Sequence, residues 1–223
     1  MELPAFSNLE SSTQILVAEH ARMTQLYLYN AEMGEKRTSL YLSVVSLGGA
    51  GLIGLTQIME TSQLFWPTNA FLLGALILGL LTFQRLIERR VRAVENLRAL
   101  NRIHRYFVDH DPQLLHYFYW PPCDDWPAFR NKGGLFAGLR DVISFINSLF
   151  AGFLASEAIT PFVPTGQLLP PIGVGLLIFL AAWGLQHLYE GRVLDQADRQ
   201  AAVKDVRFPM KVLDGKIGAE SET

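Results

Sequence analysis

The sequence predicts an all-α integral membrane protein, with four transmembrane helices paired as two helical hairpins and helices extending into a cytoplasmic bundle. Three observations carry this. Half of the 223 residues are hydrophobic and only 18% are charged, and the apolar residues form runs instead of the spread pattern of a water-soluble core. Four runs, Thr38 to Met59, Leu64 to Phe83, Val142 to Thr160 and Leu168 to Leu185, come near the about 20 residues that a bilayer crossing needs. All 19 Lys and Arg fall before the first run, between the second and third, or after the fourth, and the connectors joining runs one to two and three to four carry none. Positive charge is retained on the cytoplasmic side of a membrane, so both termini and the central segment are assigned there, in an inner, cytoplasmic membrane.

Residues 1–37 read as a cytoplasmic helix. From Asn8 to Arg37 no Gly precedes Gly34, and Leu9, Leu16, Met23, Leu26 and Met33 recur at roughly helical spacing. The opening MELPAFSNLE lacks the basic stretch and apolar core of a cleaved signal, so the first run itself is read as the insertion signal.

Hairpin 1, residues 38–84, begins with a Gly-rich run that sets Ser46, Ala50 and Gly54 four apart on one face. Small residues at this spacing let helix backbones approach closely in lipid. Hairpin 2, residues 140–188, extends the device with Ser144, Ser148, Gly152 and Ser156, and Asn147 adds an amide for an interhelical bond. The two outer turns, ETSQLFWPT from Glu60 and EAITPFVPT from Glu157, share Glu, Phe, Pro and Thr at matching positions. That correspondence leads us to expect hairpins of similar plan, each second helix starting after a Pro-containing turn, against the alternative of coincident turn chemistry.

The central segment, residues 85–139, continues the second span as a basic helix. Ile87, Val91, Val94, Leu97, Leu100, Ile103 and Phe107 form an apolar stripe that wants a partner, and Glu88 is spaced to pair with Arg92. Arg85, Arg89, Arg90, Arg92, Arg98, Arg102 and Arg105 outweigh Glu88 and Glu95 by +5, whereas Asp109, Asp111, Asp124 and Asp125 make the next stretch -4. The arginines are read as contacts for anionic lipid or another anionic ligand. Nucleic acid is disfavoured, because aromatic residues do not interleave with them before Tyr106. Beyond, Pro112, Pro121, Pro122 and Pro127 break the helix within an aromatic elbow whose Tyr117, Tyr119, Trp120 and Trp126 suit the membrane interface or a docked protein partner. Residues 189–223 read as a short amphipathic helix over Val193 to Val203, an extended piece from Phe208 to Leu213, and a disordered tail.

Little in the chain points to chemistry. His104, His110 and His116 stand six apart, a spacing that matches neither a helical face nor a finger-type site, so no metal is assigned. No span carries a charge near its centre, which argues against a proton-driven pump. Haem would need facing histidines, and only His187 lies near a span. Phosphate loops and hydrolase motifs are missing, so neither enzymatic activity nor a cofactor is expected. The lone Cys123 is expected to remain a reduced thiol.

The functional expectation is a homo-oligomeric channel gated through its cytoplasmic helices, with Glu60 and Glu157 at the outer mouth and Ser144, Asn147 and Ser148 along the pathway. Two alternatives are a membrane scaffold or sensor that recruits a soluble partner through the aromatic elbow, and an accessory subunit of a larger membrane complex. In layout alone, the plan is similar to small helical membrane effectors and sensors of bacterial stress or defence systems.

Overall fold

A computed structural model describes residues 6–118, 120–130, 138–164 and 166–204, and among them it contains helices and no strand. Four long helices follow in order: α1 (Phe6–Leu55), α2 (Thr61–His110), α3 (Leu139–Ile159) and α4 (Leu169–Lys204). Each holds a stretch long and apolar enough to cross a membrane. Short 3-10 turns, Pro112–Tyr117 and Thr160–Phe162, follow α2 and α3. Helices α1 and α2 each run for 50 residues, more than twice the about 20 that one crossing uses. The expected tail segments from Phe208 onward, and Tyr119, lie outside the described residues.

The α1–α2 and α3–α4 turns depart from the shared plan. Helix α1 stops at Leu55 and α2 begins at Thr61, so Pro67 lies inside a helix instead of before it. Between α3 and α4, Pro161 lies in a 3-10 turn, Pro164 follows it, and α4 starts only at Leu169. Gly166 has φ +94, a left-handed conformation that glycine adopts without a side-chain clash. The equivalent position in the first turn is Asn69, already within α2. Pro170 and Pro171 fall in the first turn of α4, where their missing N–H groups would have no helical partner anyway. Four identities in nine residues therefore do not produce one structure. Likewise, Val193 to Val203 is not a separate helix but the continuation of α4.

The chain divides into two compact units. Unit 1 comprises the described residues of Met1–Met33, Arg89–Asn131 and Leu194–Thr223, and unit 2 those of Gly34–Glu88 and Lys132–Val193. In unit 2, Leu72, Ala75 and Phe150 form a buried cluster bordered by Val45, Phe71, Ile146 and Leu154. Phe71 and Phe150 meet edge to face, with centroids 6.5 Å apart, in an arrangement that aromatic quadrupoles favour. The Phe71 ring also lies over Gly48, where any side chain on α1 would overlap it. In unit 1, Val94, Leu100, Ile103, Leu194, Phe129 and Cys123 are buried.

Candidate functional site

The most connected polar feature of unit 2 is a buried network to which three helices contribute side chains. Tyr41 of α1 donates to Asn147 Oδ1 at 2.9 Å, and Asn147 Nδ2 donates to Gln186 Oε1 of α4 at 3.3 Å. Gln186 Nε2 in turn donates to Ser148 Oγ at 3.0 Å, and Ser148 donates to the Ser144 carbonyl at 2.7 Å. Gly79 of α2 completes the packing, since a side chain there would overlap Asn147 and come within 2.7 Å of the Tyr41 hydroxyl. Ser144, Asn147 and Ser148 are each 0% exposed. Polar groups cut off from water must find partners, and the amides of Asn147 and Gln186 and the Ser148 hydroxyl do so on one another and on Tyr41, whereas the buried Ser144 hydroxyl has no partner among the described residues.

The sequence offered Ser144, Asn147 and Ser148 as pathway or packing residues; in the structure their face of α3 is closed by side chains from α1 and α4. Gly152, on the same face, approaches α4 so closely that a Cβ would lie 2.7 Å from the Gly175 carbonyl oxygen; a Cβ on Gly175 would lie 3.0 Å from that of Gly152. Ser156 is half-buried beside it, 3.2 Å from the Cβ position of Gly175. The other small-residue face behaves oppositely. Ser46, Ala50 and Gly54 are exposed, and no atom lies near a Cβ placed on Gly54. Among the described residues, α1 packs instead through Tyr41, Val45 and Gly48.

Near the α3 N-terminus, Asp141, His187 and Glu190 bring one ligand atom each to within 4.8 Å of one another. Asp141 and Glu190 are 6% and 8% exposed. Arg140 Nη1 lies 2.6 Å from Glu190 Oε1, and His187 Nδ1 lies 3.9 Å from Glu190 Oε2. Sequence reasoning placed no site here. A signal did exist: Asp141, Ser144 and Ser148, and likewise Gln186 and Glu190, recur at helical spacings of three and four.

In unit 1 the basic helix is an organising spine instead of a free cationic surface. Arg98, with a side chain 7% exposed, donates through Nε to the Pro127 carbonyl at 3.0 Å and through Nη2 to the Asp125 carbonyl and Asp198. Its guanidinium also stacks 4.4 Å from the Phe129 ring centre. Arg90 donates to the Phe129 carbonyl, and Asn101 donates to the Cys123 and Trp126 carbonyls. Arg102 pairs with the fully buried Asp124 at 3.0 Å, and Arg105 pairs with Asp109 at 3.0 Å. Arg89 donates to the Asn30 carbonyl. The reading of these side chains as lipid or anion contacts is therefore corrected for Arg98 and Arg105, which are buried on internal partners. Exposure is retained by Arg85 and Arg92, but Glu88 pairs with Arg85 at 3.0 Å instead of with Arg92. The hint was the charge reversal along the chain: a +5 helix followed by acidic residues can fold back on them.

The remaining candidates are dispersed. Glu60 and Glu157 are both exposed. Tyr117 is 84% and Trp120 53% exposed, and Trp120 stacks on the half-buried Trp126 with centroids 4.7 Å apart. The three histidines do not converge. His104 packs on His20 and Phe118, His110 bonds the Tyr106 carbonyl, and His116 is exposed. The Cys123 thiol is buried and pushed up to about 11, first by burial and then by nearby Asp125. No known protein family, curated protein or solved structure matches this chain.

Proposed function

We propose that this chain is a multi-pass membrane protein, with both termini cytoplasmic, that assembles into a homo-oligomeric channel around α1. The observation carrying this reading is the exposed stripe along that helix. Ser39, Ser43, Ser46, Ala50, Gly54 and Gln57 recur every three or four residues on one face and are all exposed in the protomer. Only 11% of the apolar window of α1 is buried, against 33% for α3. Hydroxyls gain nothing from facing lipid, whereas around a central axis they can line a wet path while the small residues let neighbouring helices approach. Leu40, Val44 and Leu47 are exposed on the adjoining side and suit lipid. The path thus runs between subunits and leaves the packed network of Asn147 outside it. Glu60, just beyond the stripe, would favour cations at the outer mouth, and gating belongs to the segments outside the bilayer. Reconstitution into liposomes tests this: ion flux that falls at least about tenfold with Ser46→Leu and changes selectivity with Glu60→Gln is expected. A protein that carries no current, or whose current ignores both changes, would overturn it.

A scaffold role is the second reading, favoured by the exposed Tyr117 and Trp120 on unit 1. Aromatic side chains of this kind anchor protein interfaces. If Tyr117→Ala with Trp120→Ala strips a stoichiometric partner from the purified assembly and leaves flux intact, recruitment is a function of the elbow.

A further inference from the structure

We propose that Asp141, His187 and Glu190 form a binding site for a divalent first-row transition cation, a role that goes beyond the channel reading. The geometry comes first. One imidazole nitrogen and two carboxylate oxygens lie within 4.8 Å of one another, and His187 Nδ1 stands 3.9 Å from Glu190 Oε2. Ligands about 2.1 Å from a common ion sit roughly 3 to 4 Å apart, so modest side-chain movement closes these three around one cation.

A second observation points to a missing ligand. Asp141 is 6% exposed, and among the described residues its carboxylate has no hydrogen bond and no ion pair. Burying such a group without compensation is costly. Asp141 lies in the first turn of α3, whose start offers only partial positive charge. A cation shared with Glu190 and His187 supplies the absent counter-charge.

Arg140 gives the site its competitor. Its Nη1 is 2.6 Å from Glu190 Oε1, and its side chain is 22% exposed, so it can swing toward solvent when a metal takes Glu190. With Arg140 in place the cluster still carries a net charge near -1, favourable for a cation. The mixed nitrogen and oxygen donor set selects Mn2+, Fe2+ or Zn2+ over Ca2+ or Mg2+, which favour oxygen alone. Asp141 lies on α3 and the other two on α4, so the bound ion would tie hairpin 2 together.

Titration of the purified full chain in detergent with Mn2+ and Zn2+ alone decides the matter. We expect about one equivalent to bind, with thermal stabilisation reversed by chelator and a nitrogen coupling to Mn2+ in pulsed paramagnetic resonance. His187 is partly exposed, so His187→Ala is expected to fold while losing that coupling and weakening affinity about tenfold. Arg140→Gln, which removes the competing charge, should bind more tightly than the native chain. The proposal is overturned if neither the native protein nor Arg140→Gln binds either ion at millimolar concentration, or if His187→Ala binds Mn2+ with unchanged affinity and nitrogen coupling.

Discussion

A guanidinium and an ammonium carry the same charge, but only the first can hold the position of Arg98. Two carbonyls, one carboxylate and an aromatic face surround it, and a planar fork of fixed donors meets them without rearrangement. Arg98→Lys is therefore expected to destabilise unit 1 by about 2 kcal/mol, read as a lowered thermal midpoint in detergent with charge conserved. A second residue-scale prediction concerns acid. His20 and His104 bring their Nε2 atoms to 3.1 Å, so one can donate only while the other keeps a free lone pair. Burial, and secondarily His20, lowers the pKa of His104 below its usual 6.5. The folded state thus binds fewer protons than the unfolded one. Its contribution is fully present above about pH 6.5 and lost as pH falls below that value toward the lower folded pKa. Thermal midpoints of the native chain should drop on acidification from about pH 8 to about pH 5.5, and His104→Gln should show a shallower drop.

Among the elements, α1 and α3 carry similar small-residue motifs with opposite fates. The motif on α3 faces α4, where Gly152 and Gly175 set the distance between backbones. A side chain at Gly152 would meet a carbonyl that cannot turn away, so Gly152→Val should cost about 1–3 kcal/mol and loosen hairpin 2 in hydrogen exchange. On α1 the motif is exposed, and a Cβ placed on Gly54 meets no atom. Gly54→Leu should accordingly leave protomer stability unchanged while reducing cross-linked oligomer. Loss of folding in that variant, or an undiminished oligomer, would separate α1 from the assembly interface. Helix α2 differs again: it buries Val94, Leu100 and Ile103, and its buried Arg98 and Asn101 bond to carbonyls of the elbow.

At the level of the whole molecule, the proposed orientation rests on the charge map. Single cysteines introduced at Gln63 or Thr160 should react from outside intact cells with a membrane-impermeant maleimide, and those at Arg22 or Arg199 only after permeabilisation. Cys123 should contribute no background, because its thiol is buried and held protonated to about pH 11. Reaction at Arg22 from the outside would reverse the orientation and move Glu60 to the inner face.

Helical content and the four long apolar stretches were legible in the chain alone, because clustering of apolar residues and the absence of breakers are local properties that each segment carries by itself. Charge segregation was equally visible, since it requires only counting along the chain. Which face of a helix would be covered was not. Ser46 and Ser148 sit in similar motifs, yet one is exposed and the other sealed, and only the neighbouring helices decide that. Carboxylate partners of the α2 arginines, such as Asp124 and Asp109, could be guessed from the charge reversal, but the carbonyls of Asp125, Pro127 and Phe129 that hold Arg98 and Arg90 are backbone groups that no side-chain pattern reveals. The grouping of Asp141 with His187 and Glu190 joins residues more than forty positions apart. Covalent sequence thus determined what each segment is made of, while the close approach of α3 and α4 decided which of its polar groups would meet.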